Sequence, residues 1–383
     1  MPKPVKRPEL GWRAELRWQR LSVLDTGREA ELSRLREQNL KAHKPPMDGI
    51  KLDRADVEWL IEQNGGPIRY GDDYSDRLGL DLRNANLMDG DFSFLPLADT
   101  LFQGARTDKA SFEGCDLRWA YFDDAHMSET RLVDADIFKG HFEGTYLREA
   151  DLSGCNIKSA WFNEGTYLDA AKFNRASLSG CHWRNVDVAR VDWDNVRLIG
   201  DELDARKAAF TERDRAYDDA SDAYGRISQL LRTQGRLSGA SRFYYRRSLM
   251  HRKALQCQAL RLFITGRWWR LPSTLLTLIG NLLLEAISGY GEQPGRVLAW
   301  AVGVAGIFTV LYMTVGSNPT YTFNLAAAIV LSVTSLLGRG YGFLPSADAL
   351  AKPVSILSAI EGGIGTTIEL LFVATFTRRL LGS

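Results

Sequence analysis

The chain is predicted to be a multidomain protein: a square-coiled solenoid, then an α-helical hairpin, then an α-helical membrane domain built around two spans. Three observations predict it. A large apolar residue returns every five positions between Leu82 and Leu198. Eleven basic residues and no acid follow between Ala223 and Leu284. Residues 1–270 carry nearly all the charge, whereas 271–383 hold long apolar runs. A chain of 383 residues suggests two or three domains, and a formal net charge of +1 names no partner by itself. The opening "MPKPVKRPELGWRAELRW" is basic and lacks the apolar core of a signal peptide.

The elements follow in order. Residues 1–66 read as a helical segment and a cap. A polar, helix-like stretch over 10–41 is available to pair with a neighbouring subunit. A second short helix after Asp53 carries Val57, Leu60 and Ile61, is stopped by Asn64-Gly65-Gly66, and closes the solenoid's open end.

Residues 67–200 hold the five-residue beat: Leu82, Leu87, Phe92, Leu97 and Phe102, then Phe112 onward to Phe162. A small residue precedes each by two, as at Ala85, Ala105, Cys115 and Ala125. The phase slips by one near Asn163 and resumes at Leu168. Period five fits neither a helix nor a strand. It fits a square coil with five residues per side, whose stacking buries a column that no single coil could bury. Thr107 at a large position and Leu95 at a small one predict two distorted coils. The repeats "ANLMD", "CDLRW", "ADIFK" and "ADLSG" resemble the pentapeptide-repeat family. That resemblance implies a right-handed quadrilateral β-helix of about six coils. Some family members are thought to imitate DNA with an acidic rod. Here twenty Asp/Glu against thirteen Lys/Arg over 81–200 read as a solubilising surface, and no duplex DNA binding is expected. Cys115, Cys155, Cys181 and Cys257 lack CxxC spacing and read as small residues in a reducing compartment, without zinc or disulfides.

Residues 201–270 read as a basic helical hairpin, similar to one tetratricopeptide unit. Ala216, Ala220, Ala223, Ile227, Leu230 and Leu231 form one stripe, Gly235 turns the chain, and Leu237, Ala240, Phe243 and Tyr244 build the second. The basic run ending in "RWWR" has two readings. One is a cytoplasmic juxtamembrane segment on anionic lipid, with Trp268 and Trp269 at headgroup level. The other is a pocket for an anionic, nucleotide-type ligand built by Arg242, Arg246, Arg247 and Arg252, with Lys253 beside them.

The apolar stretch 273–287 would be about 22 Å long as a helix, too short for a hydrocarbon core of about 30 Å, so 271–292 reads as an interfacial helix. Spans are expected at about 297–316 and 354–377, with a pore helix at about 322–337 between them, all within a pore domain over 293–383. Two Gly-Tyr-Gly triplets compete for the role of ion filter. Gly289-Tyr290-Gly291 precedes both spans and reads as a turn. Gly340-Tyr341-Gly342 follows the short helix and sits between the spans, so the filter is placed at 338–342.

Span, short helix, Gly-Tyr-Gly and span together resemble the two-span potassium-channel pore family. The matching residues are Ser332, Thr334, Gly340, Tyr341, Gly342, Pro345, Glu361, Gly363, Gly365, Arg378 and Arg379. The resemblance implies a homo-tetramer in a lipid bilayer around permeant ions. Gly338 and Arg339 depart from the family's Thr-Val, and Phe343 from its acidic residue. A weakly selective or anion-permeable pore is one consequence; Arg339 turned away and paired with Glu361 is the other. Glu361 and Glu369, about 80° apart on a helix, are both expected to face inward, Glu361 near the filter and Glu369 deeper. Gly362, Gly363 and Gly365 offer either a hinge or close packing. Arg267, Arg270, Arg296, Arg378 and Arg379 place both termini on the cytoplasmic side of an inner membrane.

These readings converge on an ion channel gated through its cytoplasmic part, in a stress or antiviral defence response. The alternative is a membrane-anchored binding scaffold whose pore fold does not conduct. No nucleophile–base–acid set, P-loop or HExxH is present, so neither an enzyme nor a cofactor is expected.

Overall fold

The computed structural model describes residues 22–66, 79–290, 293–315, 324–338 and 352–381. The chain divides into two compact units, Met1–Ala254 and Leu255–Ser383.

In the first unit, parallel bridges join residues twenty apart, as in Asp91↔Ser111, Ser111↔Arg131 and Arg131↔Asp151. Within each five-residue segment the small residue's N–H donates to the preceding large residue's carbonyl, as Ala105 does to Phe102 and Ala125 to Phe122, both at 2.9 Å. The turn residue between them, just before the small one, adopts the left-handed region, whether glycine (Gly104) or not (Asp89, Phe94, Trp119). Each non-glycine turn costs about 1 kcal/mol, offset by the ladder and column it permits. Four such turns close one twenty-residue coil.

The column explains the beat. Phe102, Phe122, Phe142, Phe162 and Trp183 stack at centroid distances of 4.9, 5.1, 5.2 and 4.6 Å. Polar or sulfur groups in the column bond to the carbonyl of the coil beneath: Thr130 to Thr107 at 2.8 Å, Thr145 to Phe122 at 2.7 Å, and Cys115 to Phe92 at 3.0 Å.

This corrects the expectation for Thr107 and Leu95. Both are buried and their coils keep the regular bridges, because the Thr107 hydroxyl reaches the His126 carbonyl at 3.2 Å and Leu95 keeps the turn bond to Phe92. The phase slip is an extra residue absorbed at Asn163, whose side-chain oxygen accepts from Gly144 and Gly165, both at 3.0 Å. There β1 (Trp161–Phe162) pairs in parallel with β2 (His182–Trp183) in a register of 161 to 182.

Both solenoid ends are covered by this chain. Residues 50–52 bridge Asn86 at the first coil, and α2 (Arg54–Gln63) follows with a capping box between Asp53 and Asp56. Val57, Leu60 and Ile61 are buried, as expected of a cap. α1 (Thr26–Lys41) buries Leu32, and its Arg28 holds Asp56 of α2 at 2.9 and 3.1 Å. Leu32 and Arg28 thus tie α1 to the cap, while most of its other residues stay exposed or half-exposed.

At the other end stands α3 (Gly200–Lys207). Its Asp201 carboxylate accepts the Leu178 and Ser179 N–H groups at 2.5 and 3.1 Å. The expected hairpin is α4 (Arg213–Thr233) and α5 (Leu237–Ile264), turned at a left-handed Gly235. Gln234 pairs with Val188 and Val186 at 3.0 and 2.8 Å, and Trp193 meets Phe243 edge-on at 5.5 Å. The hairpin is thus a second cap.

In the second unit a 3₁₀ turn (Trp268–Arg270) leads into α6 (Leu271–Ser288), followed by α7 (Pro294–Val315), α8 (Leu325–Leu336) and α9 (Lys352–Leu381). Three stretches are long and apolar enough to cross a membrane: 268–288, 294–315 and 354–377, of 21, 22 and 24 residues. The expectation that the first is too short is corrected, since residues 268–272 before it and Ser288 after it lengthen it. Gly289 and Tyr290 both take left-handed conformations at the end of α6, as a turn requires; Gly291 lies outside the described residues. Beyond the turn, Trp300 of α7 donates to Ala286 of α6 at 2.9 Å.

Candidate functional site

Helices α7, α8 and α9 meet around a small core of Phe308, Tyr312, Ala328, Leu331 and Val354. Asn324 starts α8 by accepting the Ala327 N–H at 2.7 Å. Gly338 ends it in the left-handed region, donating to Ser335 at 2.9 Å. A residue with a side chain fits that conformation poorly, which accounts for glycine at this helix end. The other residues expected to form a filter, Arg339, Gly340, Tyr341 and Gly342, lie outside the described residues.

One carboxylate ties the three helices together. Glu361 of α9 has no exposed surface; it accepts the Tyr312 hydroxyl of α7 at 2.7 Å and the Ser332 hydroxyl of α8. Ser332 also lies 3.0 Å from the Ala305 carbonyl of α7. One turn on, Ser335 and Ser358 share a hydrogen bond of 2.7 Å. Thr334, expected alongside Ser332, bonds instead to Val330 of its own helix at 2.8 Å.

The two glutamates expected to face inward together therefore part company. Glu361 is enclosed by its own chain, whereas Glu369 is exposed. Gly365 packs closely: a methyl group there would stand 1.8 Å from the Leu336 carbonyl oxygen of α8. Gly363 is open, and α9 runs through all three glycines unbroken. Tyr312 was not singled out from the sequence; a phenolic hydroxyl within the apolar run "FTVLYM" was its only sign.

The basic candidates on α5 are divided among several partners. Arg242 donates to the carbonyls of Trp193 and Asp194, closing the last coil. Arg246 and Lys253 turn to Glu202 of α3, at 3.1 and 3.7 Å. Arg206 joins them on the same carboxylate at 2.5 Å, and Tyr224 donates to it at 3.0 Å. Glu202 is buried, which opposes its ionisation, yet its donors Arg206 and Tyr224 and the charges of Arg246 and Lys253 hold it below the usual carboxylate range. Arg247 is exposed, while Arg252 is half-buried and engaged. Arg206 and Glu202 lie outside the run of basic residues, so charge counting along the sequence did not join them to it. Among the described residues no group of His, Cys, Asp and Glu is placed to hold a metal ion.

Residues 100–137 and 130–166 match the family model described as pentapeptide repeats (8 copies). Several solved structures are similar to the chain. A pentapeptide repeat protein from the cyanobacterium Cyanothece 51142 shares 17% identity, over 38% of this chain and 83% of that one, with a TM-score of 0.19. One from Nostoc Pcc 7120 shares 21%, over 36% and 99%, with a TM-score of 0.17. QnrB1, a plasmid-mediated fluoroquinolone resistance protein, shares 18%, over 28% and 65%, with a TM-score of 0.16. No curated protein matches the chain significantly.

Proposed function

We propose that this chain, a pentapeptide-repeat protein with helices able to cross a membrane, is a homo-tetrameric inner-membrane ion channel. In this reading the repeats form a right-handed quadrilateral β-helix in the cytoplasm. α7 and α9 span the membrane, α8 is the pore helix, and residues 338–342 are the filter. The basic hairpin carries a gating signal from an anionic, nucleotide-type ligand, in a stress or antiviral defence response.

One observation supports the pore reading most. A short helix, capped at its start by Asn324 and ended by a left-handed Gly338, is pinned between two span-length helices by a buried carboxylate. An apolar helix of 12 residues is too short to cross a bilayer and fits a pore helix aimed at an ion path. The exposed Glu369 is the carboxylate left to ring a cavity in four copies.

Purified protein fused into a planar bilayer tests the reading. Under a potassium chloride gradient with sodium opposite, reversal near zero is expected, because the departures at 338 and 339 weaken selectivity. Reversal at the potassium potential would show a working filter, and at the chloride potential an anion path. No current under any ligand condition would favour the scaffold reading, for which the same filter departures speak.

A further inference from the structure

Three cations converge on one buried carboxylate where α3 meets the hairpin. Glu202 receives Arg206, Arg246 and Lys253 at 2.5, 3.1 and 3.7 Å, while their side chains keep 50%, 32% and 28% of their surface exposed. Each guanidinium uses one of its N–H donors on Glu202; a guanidinium has five. The carboxylate is already held from the buried side by Tyr224, whose hydroxyl is in turn fixed by the Ile199 N–H at 3.2 Å. The inner face is thus saturated, and the outer face presents two arginine forks and an ammonium around a single negative charge. Lys253 reports the imbalance. Its ammonium is held below the usual lysine range chiefly by burial, with Arg206 and Arg246 adding repulsion against the attraction of Glu202. Arg242, one turn before Arg246, belongs to the solenoid end and is not available to this cluster.

We propose that Arg206, Arg246 and Lys253 form a binding site for a small phosphate-bearing group, with Glu202 as the resident counter-charge for which that group competes. Arginine forks match the oxygens of a phosphate in geometry and charge. The phosphate belongs either to a soluble ligand or to a lipid headgroup. The site rests on reading the basic hairpin as a ligand sensor but not on the pore, so it is tested by binding alone.

The test is calorimetric titration of inorganic pyrophosphate into the full chain in zwitterionic nanodiscs. Wild type is expected to bind, and Arg206→Gln or Arg246→Gln to weaken binding about tenfold each, the size of one charge-assisted contact. Glu202→Gln keeps the shape and an acceptor for Tyr224 but removes the competing charge, so it is expected to bind several-fold more tightly. A purely structural cluster would give the opposite sign. Discs containing anionic lipid separate the two sources. If pyrophosphate affinity falls there, and Arg206→Gln abolishes the difference, a headgroup fills the site; if affinity is unchanged, the ligand is soluble. No binding in zwitterionic discs, binding unaffected by both arginine variants, or weaker binding in a folded Glu202→Gln variant would each overturn the proposal.

Discussion

At the scale of single residues, the solenoid pays for its regularity at Asp136. Burial, and then the neighbouring Asp116, push its carboxyl up to about 6, although Phe138 and Asn156 donate to it. A carboxyl raised in the folded state favours folding below its unfolded value and loses that advantage as pH rises through about 6. Asp136→Asn keeps the acceptor and removes the charge. It should therefore stabilise the protein by about 1–2 kcal/mol at pH 7 and by almost nothing at pH 3.5. Denaturant unfolding at the two pH values checks the sign: equal effects would show that Asp136 does not titrate differently in the fold. The large and small column residues were legible because a five-residue period leaves an arithmetic trace in the sequence. The αL turns at Phe94 and Trp119 were not, since nothing in those side chains announces a left-handed backbone.

At the scale of elements, the membrane unit depends on how closely its helices approach one another. Gly365→Ala places a methyl group against the backbone of Leu336, so α8 and α9 must separate, at about 1–3 kcal/mol. Glu361→Leu leaves the hydroxyls of Tyr312 and Ser332 without their acceptor in a buried site, at about 1–3 kcal/mol, whereas Glu361→Gln keeps an acceptor and costs less. Thermal unfolding in micelles checks both. A Gly365→Ala protein that unfolds at the wild-type temperature would mean that the helices do not pack this closely. The sequence pointed to Glu361 because a carboxylate within an apolar run demands a partner. Which partner it finds depends on three helices separated by loops, and no local pattern encodes that.

At the scale of the whole molecule, the number of membrane crossings turns on α6. α6 is long enough, yet arginines flank both of its ends: Arg267 and Arg270 before it, Arg296 after it. Crossing would carry one group to the outer side, against the positive-inside bias, so α6 is expected to lie in the interface. Cys257 and an introduced Ser383→Cys, labelled with a membrane-impermeant thiol reagent in sealed vesicles, decide it. The thiols of Cys115, Cys155 and Cys181 are buried and pushed up by burial, so they stay silent in the folded protein. Labelling of both positions from the same side supports two crossings; labelling from opposite sides would mean three.

The sequence by itself determined the solenoid, the hairpin and the helices long and apolar enough to cross a membrane. Each of these repeats its own period or run over many residues, so local pattern and global structure agree. Only the tertiary structure decided that the hairpin caps the solenoid, that Arg242 and Arg246 are turned to Trp193 and Glu202, and that Glu361 binds Tyr312 and Ser332. Those pairings join residues some thirty to fifty positions apart. Their partners are chosen by which buried polar group would otherwise be left unsatisfied, and that is a property of packing rather than of sequence order.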